Sequence, residues 1–137
     1  MLRKDGKIEL LTKVPLFSHC NKKQLTAIAS LADLVDLPSG TELIREGAQG
    51  REFMVIVEGA VDVSRKGRKI NTLGPGDFIG EMALISGGPR NATATTTTDA
   101  SLLAITERQF WALLAEAPEI QTSVLKALGE RLQSLAV

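Results

Sequence analysis

This sequence has few of the residues that build metal centres and covalent cross-links. Among its 137 residues are one cysteine, one histidine, one tryptophan and no tyrosine. One cysteine cannot form an intrachain disulfide, and a single Cys with a single His cannot complete the usual zinc sites. We therefore expect no metal and no catalytic residue, and the shortage of histidine disfavours a metal-dependent barrel enzyme.

The chain also lacks an excess of charge of either sign. Lys and Arg number 16, as do Asp and Glu, so the formal net charge is zero. Domains that bind nucleic acid usually carry a basic excess. The balance argues against a nucleic-acid partner.

Long apolar runs are missing too. The longest continuous one, at positions 53–57, has the length of a strand and is far short of the ~20 residues that span a bilayer. The charged start at positions 1–7 is not followed by the apolar stretch of a secretory signal. We expect a cytoplasmic protein with no membrane insertion.

What remains is an ordinary globular composition, 44% hydrophobic, at a length that favours a single domain spanning 1–137. Asn21 and Gln24 form a capping-box pattern before an apolar helical face, which predicts a helical segment over 1–34. A second helical pattern, over 107–137, places Trp111 in the core and has apolar residues at Ile120, Val124, Leu128, Leu132 and Leu135.

Between these helices the pattern changes to short apolar or alternating runs separated by Gly and Pro turns. Many short strands with Gly-rich turns indicate a sandwich or barrel. The predicted fold is α+β: an antiparallel β-roll over 35–106, a jelly-roll-like double-stranded β-helix, flanked by N-terminal and C-terminal helices.

The segment 78–93 has the features of an anion site. Gly80 allows close backbone approach, and residues 82–85 can form one helical turn whose N–H groups face an anion. Ala83 is small enough to let a ligand reach the backbone. Arg90 follows a Gly-Gly-Pro turn and can grip a phosphate bidentately.

Glu81 lies within the same segment, where a carboxylate would repel a phosphate. Its presence is explained if it accepts a hydrogen bond from a hydroxyl beside the phosphate. A 3′,5′-cyclic phosphate leaves the ribose 2′-OH free, and its single negative charge matches Arg90. The segment has no Walker-type Gly-Lys-Ser/Thr, which disfavours a nucleoside triphosphate. A structural ion pair between Glu81 and Arg90 is the simpler alternative.

These residues resemble the phosphate-binding cassette of the cyclic nucleotide-binding domain family, known from catabolite activator proteins, kinase regulatory subunits and gated channels. A second motif, 43–50 followed by Phe53 and Gly59, and a turn at 73–78 resemble the same family, and the resemblance spans about 14–135. The cassette pattern is matched by Ile79, Gly80, Glu81, Ala83, Leu84, Arg90 and Ala92.

The resemblance implies a role for each matching position. Glu81 would accept the ribose 2′-OH, and Arg90 would hold the cyclic phosphate with backbone groups of Met82, Ala83 and Ala92. Asn91 stands where the family favours Ser, Thr or Ala, at a position that influences the choice between cAMP and cGMP. The tentative base pocket and lid comprise Val63, Ile70, Leu132 and Leu135.

The leading hypothesis is a stand-alone, non-catalytic sensor whose ligand is cAMP, in preference to cGMP. Movement of the last helix would signal to an effector protein in trans, and a homodimer is possible. The alternative is a ligand-free adaptor on the same fold.

Overall fold

The computed structural model describes residues 3–135, with Leu135 described by its backbone alone. These residues fall into two compact units. One is helical and is formed by the chain up to Leu31 together with the chain from Gln109 onward. The other, Ala32–Arg108, contains all the strands.

Among the described residues, the helical unit contains one 3-10 turn and four α-helices, apart from the first two residues of the third helix. Its core includes Phe17 and Phe110, whose ring centroids lie 5.9 Å apart in a tilted arrangement. Glu107 and Arg108, the first two residues of α3 (Glu107–Glu116), belong to the β unit. The elements are α1 (Lys4–Thr12), the 3-10 turn (Pro15–Phe17), α2 (Lys22–Ala29), α3 (Glu107–Glu116) and α4 (Pro118–Leu135).

The capping box predicted at the start of α2 is confirmed. The Asn21 side chain accepts from the Gln24 N–H, and the Gln24 side chain accepts from the Asn21 N–H, both at 2.9 Å. Gln24 also reaches α4, where it donates to the Glu119 carbonyl at 3.2 Å and accepts from the Ser123 hydroxyl at 3.1 Å. One buried amide therefore caps α2 and ties it to α4.

The prediction that Trp111 lies in the core is wrong, because 48% of this residue is exposed. The buried residues of α3 are Phe110 and Leu114, spaced by one helical turn. Trp111 is rotated about 100° from Phe110 around the helix axis and so falls off the buried face.

The β unit consists of two four-stranded antiparallel sheets. The strands are β1 (Asp33–Leu37), β2 (Glu42–Ile44), β3 (Glu52–Glu58), β4 (Val61–Arg65), β5 (Arg68–Leu73), β6 (Phe78–Ile79), β7 (Thr93–Thr96) and β8 (Ala100–Thr106). The strand orders in the two sheets are β1-β8-β3-β6 and β2-β7-β4-β5.

This architecture confirms the predicted α+β fold, an antiparallel β-roll with flanking helices. The roll begins at Asp33, two residues before the expected boundary at 35, because β1 is defined by its pairing with β8, in which Asp33 lies opposite Ala104. A helical pattern in the preceding residues gives no sign of that distant partner.

Side chains from both sheets meet in the core of the roll. The buried cluster there consists of Met54, Ile56, Val61, Ile79, Ala94 and Leu102. Partly buried residues, Val63 and Leu73 among them, pack against this cluster.

No helix in the described part of the chain is both long and apolar enough to span a membrane.

Candidate functional site

The strand β6 ends at Gly80, where the chain turns into a short 3-10 helix, Glu81–Leu84. Gly80 has a φ of +77°, a left-handed conformation that side-chain-bearing residues rarely adopt. Its carbonyl accepts from the Ala83 N–H at 2.9 Å, which closes the turn. The helical turn predicted for 82–85 is present one residue earlier, at Glu81–Leu84, and glycine is required where it begins.

Arg90 lies across the start of this turn. Its Nη2 donates to the backbone carbonyl of Glu52 at 2.6 Å. A Cβ built on Gly80 would collide with Arg90 Nη1, and one on Gly50 would lie 2.8 Å from Arg90 Nε. The guanidinium is thus seated over two glycines, and it can lie there only because both lack a side chain.

Burial lowers the pKa of the Arg90 guanidinium, and the negative charge of Glu52 acts in the opposite direction. An arginine keeps its proton at neutral pH even so. The site therefore presents a half-buried, permanent cation.

Backbone hydrogen bonds connect the segment carrying Arg90 to the loop between β2 and β3. Arg90 donates to Ala48 at 2.7 Å and accepts from Gly47 at 2.8 Å. Gly50 donates to Gly88 at 3.1 Å. The glycine-containing motif at 43–50 thus supports the segment that positions the cation.

A cavity of about 180 Å³ opens beside the guanidinium. It is smaller than the ~300–1,000 Å³ of a typical small-molecule pocket, so it suits one compact group of a larger ligand, such as a phosphate. Its lining includes five of the predicted site residues, Gly80, Met82, Ala83, Arg90 and Asn91, together with Ser86, Gly88 and Pro89.

The other two predicted cassette residues, Glu81 and Ala92, are buried and lie outside this lining. Of the tentative base-pocket residues, Val63 packs against the roll core. Ile70 is 51% exposed and is the extra residue at a bulge between β4 and β5. Neither Val63 nor Ile70 lines the cavity beside Arg90.

The two lid candidates belong to α4 in the helical unit. Leu132 is 68% exposed. The side chain of Leu135 lies outside the described residues. Their lid role therefore stays a prediction.

Sequence reasoning missed Ser86 as a lining residue and Glu52 as the residue that anchors Arg90. Ser86 follows the 3-10 helix, and both its N–H and its hydroxyl donate to the Met82 carbonyl. No residue-type signal could identify Glu52, because its contribution to the hydrogen bond is a backbone carbonyl.

A larger cavity of the β unit, about 390 Å³, is lined by Asp36, Glu58 and Asp99 among others. Three carboxylates would repel a phosphate. Among the described residues no group of three or more His, Cys, Asp or Glu is arranged to hold a metal ion. The cavity beside Arg90 is therefore the better candidate for an anionic ligand.

Comparison with known proteins gives an independent result. The family model described as "Cyclic nucleotide-binding domain" matches residues 34–117. A cyclic nucleotide-gated potassium channel of Rhizobium etli is 37% identical over 123 residues, which are 90% of this chain and 34% of the channel. The chain thus spans about a third of that relative's length.

Solved structures agree. The N-terminal domain of a transcriptional regulator from Streptomyces coelicolor superposes with a TM-score of 0.85 at 31% identity, covering 92% of this chain and 94% of that one. The regulatory domain of Toxoplasma gondii PKA, in a co-crystal structure with cAMP, superposes with a TM-score of 0.73 at 29% identity, covering 80% and 43%. These matches confirm the resemblance found in the sequence.

Proposed function

The chain belongs to the cyclic nucleotide-binding domain family, and we propose that it is a non-catalytic sensor that binds a 3′,5′-cyclic nucleotide, cAMP in preference to cGMP. The observation that carries this proposal is the cavity beside Arg90, in which a half-buried cation meets the backbone of a glycine-initiated turn. A monoanionic phosphate matches that single charge.

Arg90 keeps donors available for the phosphate. A guanidinium has five N–H donors, and the hydrogen bond to the Glu52 carbonyl uses one. The backbone N–H groups of Met82, Ala83 and Ala92 complete the phosphate contacts in this proposal, and the Ala83 N–H is then shared between the Gly80 carbonyl and the phosphate. Each charge-assisted hydrogen bond contributes about 1.5–3 kcal/mol.

The rest of the nucleotide extends beyond the small cavity. Glu81 accepts the ribose 2′-OH, and the base lies towards Val63 and Ile70. Asn91, which lines the cavity, contacts the phosphate or the base edge. Leu132 and Leu135 on α4 form the lid, and a change in α4 on binding is passed to an effector.

A titration tests the ligand. We expect cAMP to raise the thermal midpoint and to release or absorb heat in calorimetry, with cGMP weaker and 5′-AMP weaker still, since its open phosphate has a different shape and a higher charge. No response to cAMP or cGMP at millimolar concentration would refute the proposal.

Arg90→Ala tests the site. It should abolish most of the binding while leaving the fold intact. Arg45→Ala is the matched control, because Arg45 is an exposed arginine of the same unit paired with Glu42 at 2.7 Å. Unchanged cAMP affinity in Arg90→Ala would show that the phosphate binds elsewhere.

One observation favours the adaptor alternative. Three large apolar residues of α3 and α4 are substantially exposed: Trp111 (48%), Leu125 (65%) and Leu132 (68%). Tryptophan is enriched in protein-binding surfaces, and Leu125 and Leu132, seven residues apart, share one face of α4. The titration discriminates the two functions, because a ligand-free adaptor would show no response to any cyclic nucleotide.

A further inference from the structure

The hairpin formed by β4 and β5 is bonded to the segment that carries Arg90. Arg65, the last residue of β4, donates from Nε to the backbone carbonyl of Asn91 at 2.9 Å. The adjacent hairpin residue, Lys66, has a φ of +52°, and its N–H donates to the Glu46 carboxylate at 2.9 Å. The tip from which Arg65 projects is therefore held by a separate contact.

The hydrogen bond from Arg65 fixes a peptide plane. The described residues contain no cis peptide bond, so the Asn91 C=O and the Ala92 N–H lie in one plane and point in opposite directions. Holding the carbonyl on the hairpin side directs the Ala92 N–H to the opposite side. Among the described residues, this N–H donates to no backbone carbonyl in the loops and turns.

The preceding peptide is held in the same way. The Arg90 carbonyl accepts from the Gly47 N–H at 2.8 Å, which sets the direction of the Asn91 N–H. Two consecutive carbonyls are thus bound by protein donors, one from a loop and one from the hairpin. Asn91 itself lines the cavity, so these peptides lie at its edge.

We propose that Arg65 is a positioning residue for the phosphate site: by binding the Asn91 carbonyl it aims the Ala92 N–H at the cyclic phosphate. This inference rests on the proposed function and extends it to a residue outside the family motif.

Two substitutions separate the hydrogen bond from the charge. In Arg65→Gln, Nε2 occupies the same number of bonds from Cα as the arginine Nε, so the donor is kept and the charge is lost. In Arg65→Lys that position is a carbon, and the charge is kept one bond further out. Arg65→Met removes both.

The experiment is a calorimetric titration of the intact chain with cAMP. We expect Arg65→Met and Arg65→Lys to weaken binding about fivefold, the value of one net hydrogen bond, and Arg65→Gln to stay within about twofold of wild type. The Ala92 amide resonance in an NMR titration gives a second readout: cAMP should shift it in wild type and Gln, and shift it less in the Met and Lys variants.

Arg68→Met is the matched control, because Arg68 pairs with Arg65 across the hairpin and carries the same charge. It should leave cAMP affinity and the cAMP-induced shift of the Ala92 amide resonance unchanged. Wild-type affinity in Arg65→Met, or recovery by Lys and not by Gln, would overturn the positioning role alone. Absence of cAMP binding by the wild type would overturn the proposed function and this inference together.

Discussion

Arg90 and Glu52 interact twice, once through the backbone and once through charge. The guanidinium donates to the Glu52 carbonyl at 2.6 Å, and the Glu52 carboxylate acts on the same cation against the effect of burial. The first interaction positions Arg90. The negative charge of Glu52 reduces the attraction of the Arg90 cation for an incoming phosphate.

Glu52→Gln should therefore strengthen cAMP binding. The backbone carbonyl stays, while the carboxylate that repels the phosphate is lost. Because Glu52 is exposed, the expected gain is about two- to threefold in affinity at low salt, and it should shrink as salt screens the charges. Glu58→Gln, at the other end of β3, is the control. Equal or weaker binding by Glu52→Gln would contradict this reading of the site.

Gly80→Ala should reduce both stability and cAMP affinity. Its φ of +77° disfavours any side chain by about 1–2 kcal/mol, and the new Cβ would also displace Arg90. Gly40→Ala is the control, because Gly40 has a φ of +84° with no atom within 4 Å of a built Cβ. Denaturant unfolding should show a loss in both variants, larger in Gly80→Ala because its Cβ also meets Arg90 and the Glu52 carbonyl, and calorimetry should show a loss of affinity in Gly80→Ala alone. Full cAMP affinity in Gly80→Ala would show that the position of the Arg90 guanidinium against Gly80 does not contribute to cAMP binding.

Gln24→Ala should lower the free energy of unfolding by about 1–3 kcal/mol, because it removes a buried amide that caps α2 and binds α4. Lys23→Ala, one residue away on the exposed side of α2, should change it by less than about 0.5 kcal/mol. Urea unfolding measures both values. Similar losses in the two variants would mean that the Gln24 contacts contribute little.

Cys20 should make stability fall at alkaline pH. Burial raises the pKa of its thiol to about 11, above its usual value near 9, so the folded state favours the neutral thiol. This contribution is complete below pH 9 and is lost as the pH rises from about 9 to 11, where the unfolded chain ionises first.

The measurement is urea unfolding across that pH range for wild type and Cys20→Ala. Contributions from all other groups are common to the two proteins and cancel in the difference between them. Tyrosine contributes nothing, since the sequence has none. A difference that does not change with pH would contradict the raised pKa of Cys20.

The features that the sequence alone determined are local ones. The capping box at Asn21 and Gln24 and the turn at Gly80 depend on residues within four positions of each other, so spacing and residue type suffice to predict them. The cassette motif could be recognised for the same reason. The fold class followed from the change of hydrophobic pattern between helices and short strands.

Tertiary structure decided how those local pieces meet. The Arg90 guanidinium lies against Gly50, Glu52 and Gly80, which come from two separate segments. Arg65 donates a hydrogen bond to Asn91, 26 residues further along the chain. Both depend on strand pairing and on backbone carbonyls, which carry no signal in residue type. The exposure of Trp111 likewise depends on which face of α3 is covered. Sequence spacing names the groups that can bind a phosphate, and only the pairing of distant segments sets the directions in which those groups point.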